Sequence, residues 1–393
     1  AVPSTYIIDR NICLNKDNII TCDKCIKACG ERKAIDFDMK PETIELDVGT
    51  IIVATGADVY DPASLVEYGY TKYPNVITSL EFERLINAGG PSGGHLIRPS
   101  DMQIPKTVAF IQCVGSRSEK SGRPYCSNVC CMNTIKDSLL IKEHWPDTQI
   151  YVFYIDMRAF GKGFEDLYKR AKKEGAIFIR GLPADIVEDR KTHNLWLTGE
   201  NTLQKELYKI NVNMVILSVG IEPQKDSEVI QRLFTLSKTS DGFFMEAHPK
   251  LRPVDTPTGG VFLAGCAEGP KDIKDSVTQA SAASARASIL MSQGKVTVEA
   301  ITPRVIDEKC QVCGLCARVC PFNAIVVDKE MEKTDVIEAA CAGCGTCGAE
   351  CPYEALTMRH FTDEQLYAQI DAATEEDADK KIVAFCCNWC SYA

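Results

Sequence analysis

Between Cys310 and Pro352 the chain runs twice through one pattern: Cys310, Cys313, Cys316 and Cys320-Pro321, then Cys341, Cys344, Cys347 and Cys351-Pro352. This spacing constrains the local fold, because three thiolates separated by two residues each can wrap three corners of an iron-sulfur cubane. The fourth, followed by proline, reaches across to a neighbouring cluster. Cys310, Cys313, Cys316 and Cys351 are therefore expected to hold one 4Fe-4S cluster, and Cys341, Cys344, Cys347 and Cys320 a second. Paired CxxC motifs also build zinc sites, but the third CxxC step and the Cys-Pro ending do not suit a zinc ribbon.

Twenty cysteines in 393 residues would mark a disulfide scaffold in a short secreted protein. Here no signal-peptide pattern is read and most cysteines fall in cluster-type spacings, so the expected compartment is reducing and cytoplasmic. No apolar run is long enough to span a membrane. The net charge of -10 argues against a nucleic-acid partner. The chain starts at Ala1 and stops just after a fresh group, Cys386, Cys387 and Cys390, so a longer parent polypeptide is expected.

Upstream of the double run, short apolar stretches alternate with amphipathic ones. Strands are expected at 50–54, 107–112, 150–155, 176–179, 214–218 and 261–264, helices at 127–144, 163–173 and 274–292, and a further strand at 382–385. Such alternation indicates an open parallel α/β sheet. At the first crossover, where a dinucleotide-binding fold carries GxGxxG, the chain reads Cys113-Val114-Gly115-Ser116-Arg117-Ser118 instead. Five scattered histidines offer no hydrolytic triad.

Two less regular cysteine groups remain. Cys13, Cys22, Cys25 and Cys29 resemble a ferredoxin run with a stretched first interval, to be read as a cluster site or a zinc knuckle. Cys113 ends an expected strand, while Cys126, Cys130 and Cys131 fall at an expected helix start, where N–H groups and the helix dipole favour thiolates. Adjacent cysteines diverge by about 100° around a helix, which makes them awkward co-ligands, so spacing alone leaves metal binding and a buried thiol set equally open. Cys266 reads as a small buried thiol.

The segments 110–117, 124–131, 158–163 and 265–273 together resemble the A-subunit of heterodisulfide reductase, an iron-sulfur flavoprotein family of methanogens with relatives in sulfate reducers. The terminal Phe385-Cys386-Cys387-Asn388-Trp389-Cys390 is similar to the opening of the small delta subunit that brings electrons from hydrogenase, so a fusion is implied. The resemblance implies an α/β, thioredoxin-reductase-like two-domain core with ferredoxin-like α+β cluster domains. Its division would be a partial ferredoxin-like insert at 1–40, a partial FAD-binding domain at 41–105 and 221–298, and a pyridine-nucleotide-domain-like region at 106–220 carrying an unusual cluster on Cys113, Cys126, Cys130 and Cys131. A two-cluster ferredoxin domain would follow at 299–360, then a linker and delta-like start at 361–393.

The cofactors implied are three to four 4Fe-4S clusters and FAD. The FAD would rest on Ala54, Thr55, Gly56, Gly265, Cys266, Gly269, Pro270, Lys271, Asp272 and Ile273. Lys271 is the candidate catalytic residue, as a cation able to stabilise a reduced anionic flavin; the competing reading is a solvated surface lysine. The implied function is electron bifurcation in methanogenesis, with ferredoxin and the heterodisulfide of coenzymes M and B as acceptors. Implied partners are heterodisulfide reductase subunits B and C and an electron-donating hydrogenase, formate dehydrogenase or deazaflavin dehydrogenase, in a dimeric complex. The alternatives are a non-bifurcating relay serving quinone-linked sulfate respiration and a zinc-binding scaffold.

Overall fold

A computed structural model describes residues 8–9, 13–14, 22–37, 43–295, 297 and 300–386. Two compact units result, residues 1–48 and 49–393. In the first, α1 (Lys24–Cys29) is a short helix with a Lys27–Asp23 ion pair of 2.7 Å on its surface.

The second unit is built on a parallel sheet. Its strands are β3 (Val76–Thr78), β4 (Thr107–Val114), β5 (Gln149–Tyr154), β6 (Ile177–Arg180) and β10 (Met214–Val219), in the order β3-β10-β4-β5-β6. Strands β4 and β10 are buried on both faces, which is why they read as continuous apolar runs. Val108, Phe110, Met214 and Ile216 face the helices α2 (Ser79–Ile86), α3 (Cys130–His144) and α4 (Phe164–Lys173), meeting Phe82, Ile135 and Tyr168. The alternate residues Ala109, Ile111, Val215 and Leu217 pack with Ile186, Leu195, Leu197 and Val212. These last belong to an antiparallel meander, β7 (Pro183–Glu188), β8 (Leu195–Asn201) and β9 (Glu206–Val212), which the sequence pattern did not announce.

Two boundaries differ informatively from expectation. The helix expected from residue 127 begins at Cys130, because Ser127 is buried and its Oγ accepts the Ile221 N–H at 2.8 Å, holding 126–129 as a loop. Strand β3, from the 41–105 stretch, joins the five-stranded sheet and α2 packs against it; Thr78 and Glu81 form a reciprocal capping box that starts α2.

Beside the sheet, β1 (Ile51–Val53) pairs in parallel with β12 (Val261–Leu263), and β2 (Ala57–Val59) pairs antiparallel with β11 (Ile221–Pro223). The α5 helix (Ser227–Phe234) contributes Ile230 and Phe234 to the core around Val53 and Leu263. Against β12 lies α6 (Ile273–Gln293), whose buried Ala283 and Ala287, one turn apart, allow close approach to Phe262. Asp272 caps it by accepting the Asp275 N–H at 2.7 Å.

The C-terminal part repeats a motif. Hairpin β14 (Ile325–Asp328) with β15 (Lys333–Val336), and the pair β13 (Pro303–Val305) with β16 (Leu356–Met358), enclose the short helices α7 (Leu315–Val319) and α8 (Thr346–Ala349). Bonds of 2.9 Å from Asn323 Nδ2 to the Leu236 carbonyl and from Gly259 N to the Ala339 carbonyl tie this part to the β12 region. Further along, α9 (Asp363–Thr374) opens on a Thr362–Gln365 capping box. The strand expected at 382–385 is not formed: this apolar run is irregular, with Ile382 95% exposed, because no described strand edge pairs with it. Cys387 and Cys390 lie outside the described residues. Among the described residues no helix is long and apolar enough to cross a membrane.

Candidate metal centres and flavin site

The repeated runs fold around two small cavities. Cys310, Cys313, Cys316 and Cys351 line the first, Cys320, Cys341, Cys344 and Cys347 the second, so each run lends its last cysteine to the other's cavity. Pro321 explains the crossing. A residue before proline is pushed out of helical geometry, and Cys320 (φ -74°, ψ 110°) ends α7 in an extended conformation. Gly314 and Gly345, both at positive φ, start α7 and α8 and let the loops curl around the sulfurs.

The remaining lining is apolar or neutral: Val305, Leu315 and Leu356 in one cavity, Pro303, Phe322 and Ile325 in the other. Backbone N–H groups aim at the sulfurs, from Ala355 to Cys351 at 3.3 Å and from Ala324 to Cys320 and Gly343 to Cys341 at 3.4 Å. Burial pushes the Cys347 thiol up to about 11, and Cys316 also upward. Among the described residues no three Cys, His, Asp or Glu side chains converge on a single-ion position.

A third small cavity sits where β4, β10 and β5 end. Carboxyl ends of parallel strands are the usual ligand position of open α/β sheets. Cys113, Cys126, Cys130 and Cys131 all line it, with Ser116, Arg117, Asn128, Asp156 and Arg158. The adjacent cysteines do diverge. Cys130 Sγ approaches the Val219 carbonyl at 3.8 Å and Cys131 Sγ the Asp156 carbonyl at 3.9 Å, yet both face the cavity off the end of α3. Cys126 comes from the preceding loop instead of the helix, and its sulfur accepts the Asn128 N–H at 3.3 Å.

The expected preference for thiolates at this helix start is overridden. Burial pushes Cys130 and Cys131 upward and Cys113 up to about 11, with Arg117 pulling Cys113 back part of the way. Three buried thiols and the half-buried Cys126, held protonated in this way, are poor nucleophiles but suitable ligands once a metal displaces their protons.

The flavin candidates gather at the ends of β1 and β12. Because these strands are parallel neighbours, Ala54-Thr55-Gly56 and the turn at Gly265 emerge side by side, with Ala264 N donating to the Val53 carbonyl at 3.0 Å. Gly56 (φ 81°) and Gly269 have no atom within 4 Å of a built Cβ, leaving open room beside the backbone. Cys266 is half-buried and its Sγ contacts the Lys271 carbonyl at 3.4 Å.

Lys271 is not a solvated surface lysine. Its side chain is 12% exposed, and Nζ bonds Glu268 Oε2 at 2.5 Å and the Gly269 carbonyl at 3.0 Å. Gln279 Nε2 also donates to Glu268, at 3.2 Å. Asp272 caps α6, and Ile273, 84% exposed, opens it. Asn128 Nδ2 donates to the Pro270 carbonyl at 2.8 Å, so the loop of the third cysteine cavity is bonded directly to the flavin segment.

In the first unit, Cys25 and Cys29 stand one turn apart on α1, with Cys22 just before it, and the Ala34 N–H donates to Cys29 Sγ at 3.1 Å. These three and Cys13 are half-buried. Sequence reasoning missed Arg117, Asn128, Asp156 and Arg158 as cavity residues. The signal was present in the Gly-Ser-Arg and Asp-Met-Arg segments, whose charges follow strand ends.

Residues 309–355 match the 4Fe-4S dicluster domain family. The chain is 51% identical to the A-subunit of the H(2):CoB-CoM heterodisulfide,ferredoxin reductase of Methanothermobacter marburgensis, over 97% of this chain and 56% of that protein. It is 48% identical to the A-subunit of the H(2)/formate:CoB-CoM heterodisulfide,ferredoxin reductase of Methanococcus maripaludis, over 77% and 46% respectively. With the A-subunit of the ferredoxin/F(420)H(2)-dependent CoB-CoM heterodisulfide reductase of Methanosarcina acetivorans it shares 44% identity over 100% of this chain and 49% of that one. Among solved structures, T. acidophilum thioredoxin reductase overlays 63% of this chain and 66% of its own, at 15% identity and a TM-score of 0.39, too partial an overlay to carry weight. The chain spans about half the length of the curated relatives it matches, and over that span it is similar to the A-subunit of heterodisulfide reductases.

Proposed function

We propose that this chain acts as an iron-sulfur flavoprotein oxidoreductase in a heterodisulfide reductase complex, passing electrons between FAD and 4Fe-4S clusters. One observation carries the reading: three sets of four cysteines each line one cavity, and the third is hydrogen-bonded through Asn128 to Pro270 of the candidate flavin segment. When bound, FAD supplies the conversion between electron pairs and the single electrons that clusters carry.

The chain's own residues position and tune. The three cysteine sets hold the clusters, with Cys13, Cys22, Cys25 and Cys29 as a fourth candidate set. Ala54 to Gly56 and Gly265 to Ile273 flank the open room for the flavin. Glu268 and the Gly269 carbonyl hold the Lys271 ammonium in one orientation, so that a cation stands ready beside negative charge developing there. The apolar walls of the C-terminal cavities shelter Cys316 and Cys347, while Cys313 and Cys344 stand exposed to solvent.

The finer reading is bifurcation, with ferredoxin and, through subunits B and C, the heterodisulfide of coenzymes M and B as acceptors. The electrons would come from a hydrogenase, a formate dehydrogenase or a deazaflavin dehydrogenase. It is supported by the relatives' names, which mention hydrogen, formate, F420H2 and ferredoxin. The delta-like start read at Cys386, Cys387 and Cys390 rests on the sequence motif alone. A dimeric, cytoplasmic complex completes the proposal.

Iron, sulfide and zinc analysis of anaerobically purified protein tests the cluster reading. About four irons per cysteine set support it, and stoichiometric zinc overturns it. Redox titration of the flavin tests bifurcation: crossed one-electron potentials are expected, while normally ordered ones would leave a simple relay.

A further inference from the structure

The three cysteine cavities differ in charge. No charged residue lines either C-terminal cavity, whereas Arg117, Arg158 and Asp156 line the third. Arg117 is held firmly. Its backbone N–H donates to the Tyr125 carbonyl at 2.9 Å and its Nη2 to Asp156 Oδ2 at 2.9 Å, and its side chain is 16% exposed. Its Nη1 is buried with no nitrogen or oxygen acceptor, and the guanidinium stands close enough to the Cys113 thiol to interact with it. A buried guanidinium nitrogen without an acceptor is costly unless something accepts its proton, and the cavity beside it is walled by four sulfurs.

The geometry points to Arg117 as the residue that sets the reduction potential of the Cys113–Cys126–Cys130–Cys131 cluster, placing it above both C-terminal clusters. This inference rests on the reading that the third cavity holds a cluster. A cubane with four thiolates carries net negative charge that grows by one on reduction, so a neighbouring cation and an N–H···S bond both favour the reduced form. Asp156 fixes the guanidinium and offsets part of its charge; being half exposed and shared with Arg180 at 3.4 Å, it offsets only part. The cluster site whose loop is bonded to the candidate flavin segment would thus be the favoured electron acceptor, and the apolar C-terminal cavities would house the stronger reductants.

The test is an EPR-monitored redox titration of the intact, anaerobically purified flavoprotein, with the relevant cluster identified as the signal lost in Cys130→Ser. That cluster should titrate at the highest potential of the three. Arg117→Gln should lower its reduction equilibrium at least tenfold, ~59 mV for one electron, and leave the other two unmoved. Asp156→Asn should move the same cluster the opposite way, which a purely structural role for the Arg117–Asp156 pair would not do.

If Arg117→Gln fails to hold the cluster, Asp156→Asn alone decides: a rise supports the assignment, and no change or a fall overturns it. Shifts of one sign in both variants, or a wild-type cluster at or below the other two, also overturn it. A Cys130→Ser protein that retains every signal overturns the underlying cluster reading instead.

Discussion

Gly115, in the loop between Cys113 and Cys126, offers a quantitative handle on the third cysteine site. It sits at φ 77°, and a Cβ built there would lie 2.1 Å from Tyr60 Cδ1. Tyr60 cannot easily retreat: it is buried, its hydroxyl is 2.6 Å from Ser64 Oγ, and the Arg123 guanidinium lies 4.9 Å from its ring centroid. For an alanine the left-handed backbone costs roughly 1 kcal/mol. Displacing a packed ring adds about 1–3 kcal/mol. The sum, about 2–4 kcal/mol, corresponds to a loosening of the loop on the order of 10².

Gly122 supplies the control, because it shares the loop and the positive φ (70°) but has nothing within 4 Å of its Cβ position. Native-state hydrogen exchange over 113–129 should show protection reduced on the order of 10² in Gly115→Ala but only severalfold in Gly122→Ala. Iron should be lost from this site in the first variant and retained in the second. Equal effects in the two would refute the argument from Tyr60.

Three further outcomes are expected. Cys320→Ser should abolish the cluster shared with Cys341, Cys344 and Cys347 and spare the one on its own run, so its EPR spectrum should match that of Cys347→Ser and not Cys316→Ser. Burial raises the Asp137 carboxyl to about 6 despite its Lys136 and Asn133 partners; the folded state then holds a proton that the unfolded state releases near pH 4, and stability falls as pH rises to about 6. Asp137→Asn should therefore melt higher than wild type at pH 7, with the gap shrinking toward pH 5, and a gap independent of pH would contradict this. Lys271→Met, which leaves Glu268 with only Gln279, should lower the flavin midpoint potential and the flavin content, whereas an unchanged midpoint would remove Lys271 from the site.

Local chemistry was the legible part of this chain. The exchange of Cys320 and Cys351 between cavities follows from a spacing rule and a proline, both visible within a few residues. Strands β4 and β10 were legible because burial on both faces demands continuous apolar runs. The β7–β9 meander was not, because Leu195-Trp196-Leu197 is apolar throughout, its buried-exposed-buried alternation showing only in the fold, and short strands interrupted by Asp185 or Gly199 resemble loops.

What escaped altogether was long-range. Ser127 stops the helix from starting early through a bond to Ile221, 94 residues away, and Asn128 reaches Pro270 over 142 residues. Arg117 acquires its meaning only beside Asp156, which arrives at the cavity with a different strand. The run at 382–385 failed in the opposite sense, having strand propensity without a partner edge.

The central claim is that three cubane clusters occupy the three cysteine cavities of residues 49–393. Anomalous diffraction at the iron edge, from crystals of anaerobically prepared protein, tests it most directly. Four-iron peaks are predicted among Cys310, Cys313, Cys316 and Cys351, among Cys320, Cys341, Cys344 and Cys347, and among Cys113, Cys126, Cys130 and Cys131. An iron-free cavity at Cys113 to Cys131, or a single metal ion in any of the three, would contradict it.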